Sequence, residues 1–283
     1  MLTVRRWDDG AQFLAAASEF LVAREAEHNL LLGLAGVAAQ HPGNYRVPPQ
    51  FATVHDGARV IAATLRTPPH NLILSLLGDE RALEVLIEAW CGEVLPGVIG
   101  PSEAVGAFAE RWAQHTGGRA LCEMKQRIFR LERVVAPRPA GGGWRDAEER
   151  DRVLLAAWWQ AFCVEAGAPI HDDAAEVADR WLRCAGRVAS LWEADGTVVS
   201  LAGVGGDTPH GVRVGPVYTP PEQRGRGYAS NLVAALSERA LASGRRFCFL
   251  FTDLANPTSN RIYQALGYAA VTDVDQYRFA HKI

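Results

Sequence analysis

The sequence predicts a mixed α/β fold of the α+β kind, built as two consecutive domains, each a mixed, mostly antiparallel sheet flanked by helices. Three observations carry that expectation. A proline- and glycine-rich stretch, "VVAPRPAGGGW", divides the 283 residues almost in half. The half after it alternates helical and strand periodicities in the order helix, helix, hairpin, strand, helix, strand, helix, strand. The half before it repeats that order. The expected boundaries are 1–135 for the first domain, 136–143 for the linker and 144–283 for the second.

In the first half, "AQFLAAASEFLVAREAEHNLLLGLAG" reads as a helical region. "FATVHDGARVIAATLR" is a hairpin turning at Asp-Gly, and "NLILSLL" is the next strand. The helix "DERALEVLIEAW", the segment "PGVIGP", the helix "SEAVGAFAERWAQHTGG" and the strand "KQRIFRLER" complete the set.

The second half opens with the helix "AEERDRVLLAAWWQAFCVEAG", whose apolar face is read as Val153, Leu154, Trp158 and Phe162, with a stop near Gly167. Trp158, Trp159 and Trp181 read as core residues; Trp159, which lies off that stripe, has facing a cleft as its alternative. A shorter helix, "AAEVADRWLRC", follows, then the hairpin "RVASLWEADGTVVSLAGVGG" with its Ala-Asp-Gly turn. The third strand, "GVRVGPVYTP", contains Gly215 and Pro216; proline has no N–H to give a ladder, so pairing on one side must fail near Pro216. The helix "YASNLVAALSERALASG" buries Leu232, Val233, Leu236, Ala240 and Leu241 and stops at Gly244. "RRFCFLFTD" is a buried strand by its unbroken apolar run. "NPTSNRIYQALGY" is a helix capped by Asn256, with Pro257 in its first position and Gly267 at its end. "VDQYRFA" is expected to close the second domain.

Composition excludes several classes. With 48% hydrophobic and 22% charged residues and a net charge of −3, the chain has the make-up of an ordinary globular protein and lacks the basic surplus of a nucleic-acid binder. Cys91, Cys122, Cys163, Cys184 and Cys248 include no Cys-x-x-Cys pair, so neither a metal site nor a disulfide framework is indicated, and reduced thiols are expected. "MLTVRRWDDG" has no apolar signal core, and no uncharged run approaches the roughly 20 residues of a membrane span. A cytoplasmic location with no membrane partner is the expectation.

The chemistry concentrates in "QRGRGYASNL". Gly225 and Gly227 remove two side chains where a strand turns into a helix, so a ligand can touch backbone there. The helix start supplies unpaired N–H groups and the positive end of the dipole, which together suit a phosphate or pyrophosphate, and Arg224 and Arg226 add charge. No Gly-Lys-Ser/Thr follows, and Ser230 stands where a dinucleotide fingerprint needs its third glycine.

The run Arg224-Gly225-Arg226-Gly227-Tyr228-Ala229 resembles the Arg/Gln-x-x-Gly-x-Gly/Ala signature of the GNAT superfamily of N-acetyltransferases, and "NPTSNRIYQALGY" is similar to that family's second motif. The resemblance implies two tandem GNAT-like domains, each with a splayed central strand pair, of which the first is a degenerate copy. It implies acetyl-CoA as cosubstrate, with the pyrophosphate on the backbone of Arg224, Gly225, Arg226, Gly227, Tyr228, Ala229 and Ser230. The pantetheine would lie along Val217, Tyr218 and Thr219, touching Asn256 and Ser259. Tyr263 matches the tyrosine to which the family assigns protonation of the leaving thiolate. Attack by an amine needs a proton acceptor, and Glu165, Asp253 and, in reserve, Glu193 are the candidates, Glu165 being favoured because the family's helix pair covers the acceptor. Asn256 and Asp253 also read as simple cap or turn residues.

The first half departs from the pattern. Gly78-Asp79-Glu80 replaces the Arg-Gly run, and two carboxylates at a helix start cap it while repelling pyrophosphate. Phe108 stands about where the second motif has its tyrosine. This half is therefore read as having lost coenzyme binding; it either packs or walls off an acceptor pocket. His28, His55, His70 and His171 could line such a pocket but are ordinary surface or capping histidines on the simpler reading. The functional reading is an N-acetyltransferase acting on the primary amine of a small molecule in a ternary complex. The alternative is a coenzyme A-binding sensor that keeps the loop and transfers nothing.

Overall fold

The computed structural model describes residues 1–168 and 170–280. It divides into two compact units: Met1–Ile128 with Thr252–Ala255 and the described residues from Val271 on, and Phe129–Phe251 with Asn256–Ala270.

In the first unit, strand β1 (Leu2–Trp7) leads into helices α1 (Gly10–Val22) and α2 (Asn29–Gln40). The Asp9 carboxylate caps α1 by accepting from the Gln12 N–H at 2.8 Å. The single helical region expected here is broken between Val22 and Asn29, where the buried His28 ring is held at both nitrogens. Nδ1 lies 2.9 Å from the Leu21 carbonyl, and Nε2 accepts from the Leu76 N–H at 3.1 Å. His28 is thus a satisfied core residue, and burial lowers its pKa. Strands β2 (Gln50–Asp56), β3 (Arg59–Arg66) and β4 (Leu72–Leu74) are successive antiparallel neighbours, α3 (Ala82–Trp90) crosses, and β5 (Gly97–Pro101) returns parallel to β4. Helix α4 (Ser102–Thr116) ends at Gly117, whose φ of 67° is the left-handed C-cap. Strand β6 (Arg119–Leu131) follows.

The second unit has the same plan. Strand β7 (Gly143–Asp146), helices α5 (Arg152–Glu165) and α6 (Ala174–Leu182), and strands β8 (Arg187–Ala194), β9 (Thr197–Gly205) and β10 (Gly211–Tyr218) lead to α7 (Tyr228–Ala242). Strand β11 (Phe247–Asp253) returns parallel to β10, and α8 (Pro257–Ala265) precedes β12 (Ala269–Ala280).

Strand order shows what the linear reading missed. It runs β1-β2-β3-β4-β5-β12 and β7-β8-β9-β10-β11-β6, so the two final strands are exchanged. The last strand does not close the second domain; Val274 opposes Pro101 and Tyr277 opposes Val98 in the first unit's sheet. In return Phe129 and Leu131 of β6 enter the second unit's core beside Val212, Val233, Cys248, Leu250 and Leu266. The expected linker is not a free tether either. Val135 N–H donates to the Leu266 carbonyl, the Trp192 indole to the Gly141 carbonyl and Asn231 Nδ2 to the Arg138 carbonyl, which leaves the unit boundary at Ile128.

Helix α5 presents only part of the face expected, for Trp158 packs against the core but Val153 does not. Val153 is exposed, whereas Leu155 and Cys163 are buried and Trp159 packs between them in register, against Phe162 and Trp181. The i, i+4, i+8 spacing of 155, 159 and 163 outcompetes the row through Val153 because it faces Ala189, Leu191 and Leu201 of the sheet.

Candidate active site

The β10–β11 ladder covers only Gly211, Val212 and Arg213 against Phe247, Cys248 and Phe249, and ends there. On its other side β10 keeps β9 but skips at Gly215 and Pro216, resuming with Val217 opposite Ala202 and Tyr218 opposite Leu201. The pair therefore opens as the position of Pro216 requires, leaving the β11-facing backbone of the strand's end without a ladder partner among the described residues.

The chain then turns through Pro221–Gln223 into Gly225 and Gly227, with φ of 76° and 81°, and into α7. Both glycines need the left-handed region that other residues avoid. A Cβ at Gly225 would meet nothing within 4 Å; at Gly227 its nearest neighbour would be Asn231 Nδ2 at 3.6 Å. No side chain caps α7 and no acidic residue occupies its first turn. The bare N–H groups of this turn fit a pyrophosphate cradle.

Arg224 does not point its charge into that cradle. Its Nε donates to the Thr219 carbonyl at 2.8 Å and its Nη2 to Glu165 Oε2 at 2.5 Å. The Glu165 carboxylate also acts on the Tyr218 phenol, whose pKa is raised, by burial first and by that negative charge second. Tyr218 is itself buried and stands 5.7 Å, centre to centre, from the Trp158 ring. The Ser200 hydroxyl donates to the Tyr218 carbonyl at 3.2 Å and lies 2.8 Å from Thr219 Oγ1. Three predicted residues, Glu165, Tyr218 and Arg224, are thus brought together across more than fifty positions of sequence. Ser200 was missed, since a strand serine carries no local signal, and Trp158 was read as part of the helix's apolar face rather than as a neighbour of Tyr218.

The other candidates have these places. Tyr263 packs against the second unit's core with its ring 6.0 Å from Tyr268, and burial pushes its phenol up to about 12. Asn256 Oδ1 accepts from the Ser259 N–H at 3.0 Å, the cap its sequence context predicts. The Asp253 carboxylate accepts from the Ala255 N–H at 2.8 Å, and the Thr252–Ala255 segment belongs to the first unit. Glu193 is paired to Arg145 Nε at 3.0 Å. In the first unit, the helix start equivalent to the cradle holds Asp79, which accepts from the Arg81 N–H and pairs with its guanidinium, and Glu84 in the first turn. Phe108 is fully buried in α4 against Trp112. No cluster of metal-ligating side chains exists among the described residues.

Residues 153–268 match the model of the Acetyltransferase (GNAT) family. Within its C-terminal half the chain is thus similar to a GNAT acetyltransferase domain. A solved Drosophila protein shares the fold of the whole chain, with a TM-score of 0.72 at 13% identity over 98% of both chains. A GNAT-family acetyltransferase from Colwellia psychrerythraea aligns with a TM-score of 0.58 at 10% identity, covering 98% of this chain and 100% of its own. A tandem GNAT protein from the clavulanic acid biosynthesis pathway aligns at 0.60 and 15%, covering 99% and 98%. At such identities these likenesses establish the fold, and the last two establish a GNAT-type fold along nearly the full length. No curated protein matches the sequence. Among the described residues no helix is long and apolar enough to cross a membrane.

Proposed function

We propose that the second unit transfers an acetyl group from acetyl-CoA to the primary amine of a small molecule by direct attack in a ternary complex. The observation that carries this reading is the open β10–β11 pair leading into the bare, glycine-lined start of α7. When bound, acetyl-CoA supplies the activated acetyl group as a thioester. The backbone of residues 224–230 holds the pyrophosphate, and the unpaired edge at 217–219 takes the amide-bearing pantetheine as a strand takes a neighbour. An N–H on that edge near Tyr218 stabilises the negative charge developing on the carbonyl oxygen. Asn256 and Ser259 flank the arm at the start of α8.

Glu165 accepts the proton of the incoming ammonium, directly or through water, and Tyr263 returns a proton to the departing sulfur. A phenol near 12 is fully protonated at neutral pH and so is always able to donate. The Arg224–Glu165 pair is exposed at both ends, so its net worth is about 0–1 kcal/mol and either partner is readily recruited to a ligand. The first unit, with carboxylates at the corresponding helix start, binds no coenzyme.

Titration calorimetry with acetyl-CoA, followed by thiol release over a panel of primary amines, polyamines and amino acids, tests the proposal. One site per chain with thiol release is the expected result. Absence of binding would overturn the assignment of the loop.

A further inference from the structure

Strands β8, β9 and β10 carry an arginine pair that the chemistry above does not use. Arg187 on β8 and Arg213 on β10 both oppose Gly205 on the intervening β9, so the two side chains rise on the same face of the sheet. That face is the one on which Ala189, Leu191 and Leu201 pack against α5 and α6, and Tyr218 opposes Leu201 on it. No side chain rises between them from β9, because Gly203 and Gly205 occupy the row. A Cβ at Gly203 would stand 3.1 Å from Arg187 Cδ, 3.3 Å from its Nη1 and 3.0 Å from the Gly215 carbonyl, so the Arg187 side chain lies over β9 toward the break in β10. Arg187 Nη1 is sealed from solvent with no hydrogen-bond partner, and none of the described carboxylates pairs with this guanidinium. A second buried donor in the same layer, the Trp159 indole N–H, is likewise unpartnered. Orphaned donors on one face, one of them cationic, ask for an acceptor that the chain does not supply.

We infer that Arg187, with Arg213 beside it, is the subsite for a carboxylate carried by the acceptor, so that the preferred amines are amino acids or similar amine-bearing acids. The inference rests on the acetyltransferase reading for the word acceptor, and on the geometry of the arginines alone for the word carboxylate. Burial, reinforced by Arg213, pushes the Arg187 guanidinium down to about 9, which leaves it charged at neutral pH and costly without an anion.

The test compares pooled amino acids with the corresponding amino acid amides, in wild type and in Arg187→Gln and Arg187→Met. Thiol release should favour the acids by at least about tenfold in kcat/KM in wild type, and both variants should bring the ratio close to one with acetyl-CoA affinity unchanged. Because they remove a buried, unpaired charge, both variants should melt at or above the wild-type temperature. Calorimetry of the same pools in the presence of coenzyme A gives a second readout that needs no turnover. Acid binding that depends on Arg187 without transfer would defeat the acetyltransferase reading and leave the subsite standing. An acid-to-amide ratio that the variants leave intact, or no acid preference in either readout, would overturn the subsite.

Discussion

Gly227 adopts a φ of 81° immediately before the first turn of α7, and its carbonyl accepts from Asn231 Nδ2 at 2.9 Å. Gly227→Glu would place a carboxylate over the bare helix start and force a side chain into the left-handed region at a cost of about 1–2 kcal/mol. The expected outcome is a folded variant whose acetyl-CoA affinity in calorimetry falls at least about a hundredfold. At the same scale, Tyr263→Phe keeps the ring packing and deletes the proton; turnover should drop at least about tenfold while the acetyl-CoA Kd is unchanged, once chemistry is shown to limit the rate. Buried acids outside the site set the alkaline limit. Burial pushes the Cys248 thiol up to about 12 and Cys163 to about 11, and raises Tyr268, whose hydroxyl lies 2.8 Å from Ser237 Oγ. The unfolded chain releases these protons first, near 9 for the thiols, so stability is complete below that pH and falls as pH rises through the folded values. Each titrating group contributes about 1.4 kcal/mol per pH unit in that window. Urea midpoints at pH 7, 9 and 10.5 should therefore decline only over the last interval, and Cys248→Ala should shallow the decline.

At the scale of elements, Arg145 ties strand β7 to the start of α5. Its guanidinium donates to both oxygens of the buried Asp151, at 2.6 and 2.9 Å, and to Glu193 at 3.0 Å; Asp151 in turn accepts from the Glu148 N–H. Asp151 is held below the usual carboxylate range, by Arg145 first, so its contribution is present above the unfolded carboxylate pKa and is lost as pH falls through the lower folded value. Arg145→Met should cost about 1–3 kcal/mol in urea melts at pH 7 and progressively less as pH falls below the usual carboxylate range and Asp151 takes up its proton. Strand β7 was invisible in the sequence because its four residues, Gly-Trp-Arg-Asp, offer neither alternation nor an apolar run. Its counterpart β1, LTVRRW, went unread as a strand. Long elements were legible: α4, α7 and β11 match the periodic segments within a residue or two, because each buries a continuous face.

At the scale of the molecule, the exchanged final strands make each unit depend on chain from the other half. Phe129 and Leu131, both buried in the second unit's core, are worth about 2–3 kcal/mol each, comparable together to the whole stability of many domains. Residues 136–283 expressed alone, cut at the boundary that composition suggests, should therefore show no cooperative melt. Co-expression with residues 1–135 should restore it. Cooperative unfolding of the 136–283 fragment by itself would contradict the assignment of β6 to its core.

The sequence by itself determined the two-fold repeat, the glycine-lined start of α7, the proline that ends a ladder and the carboxylates that replace the cradle in the first half. Each of these is a local effect of backbone freedom, a missing N–H or charge at a helix end, and such effects act within a few residues. Only the tertiary structure decided that Glu165 meets Arg224 and Tyr218, that the last strands are exchanged, and that Arg187 and Arg213 flank one glycine row. Those facts depend on which strands lie side by side and in what register, and pairing between distant segments is chosen by the burial of whole faces rather than by any short run of residues.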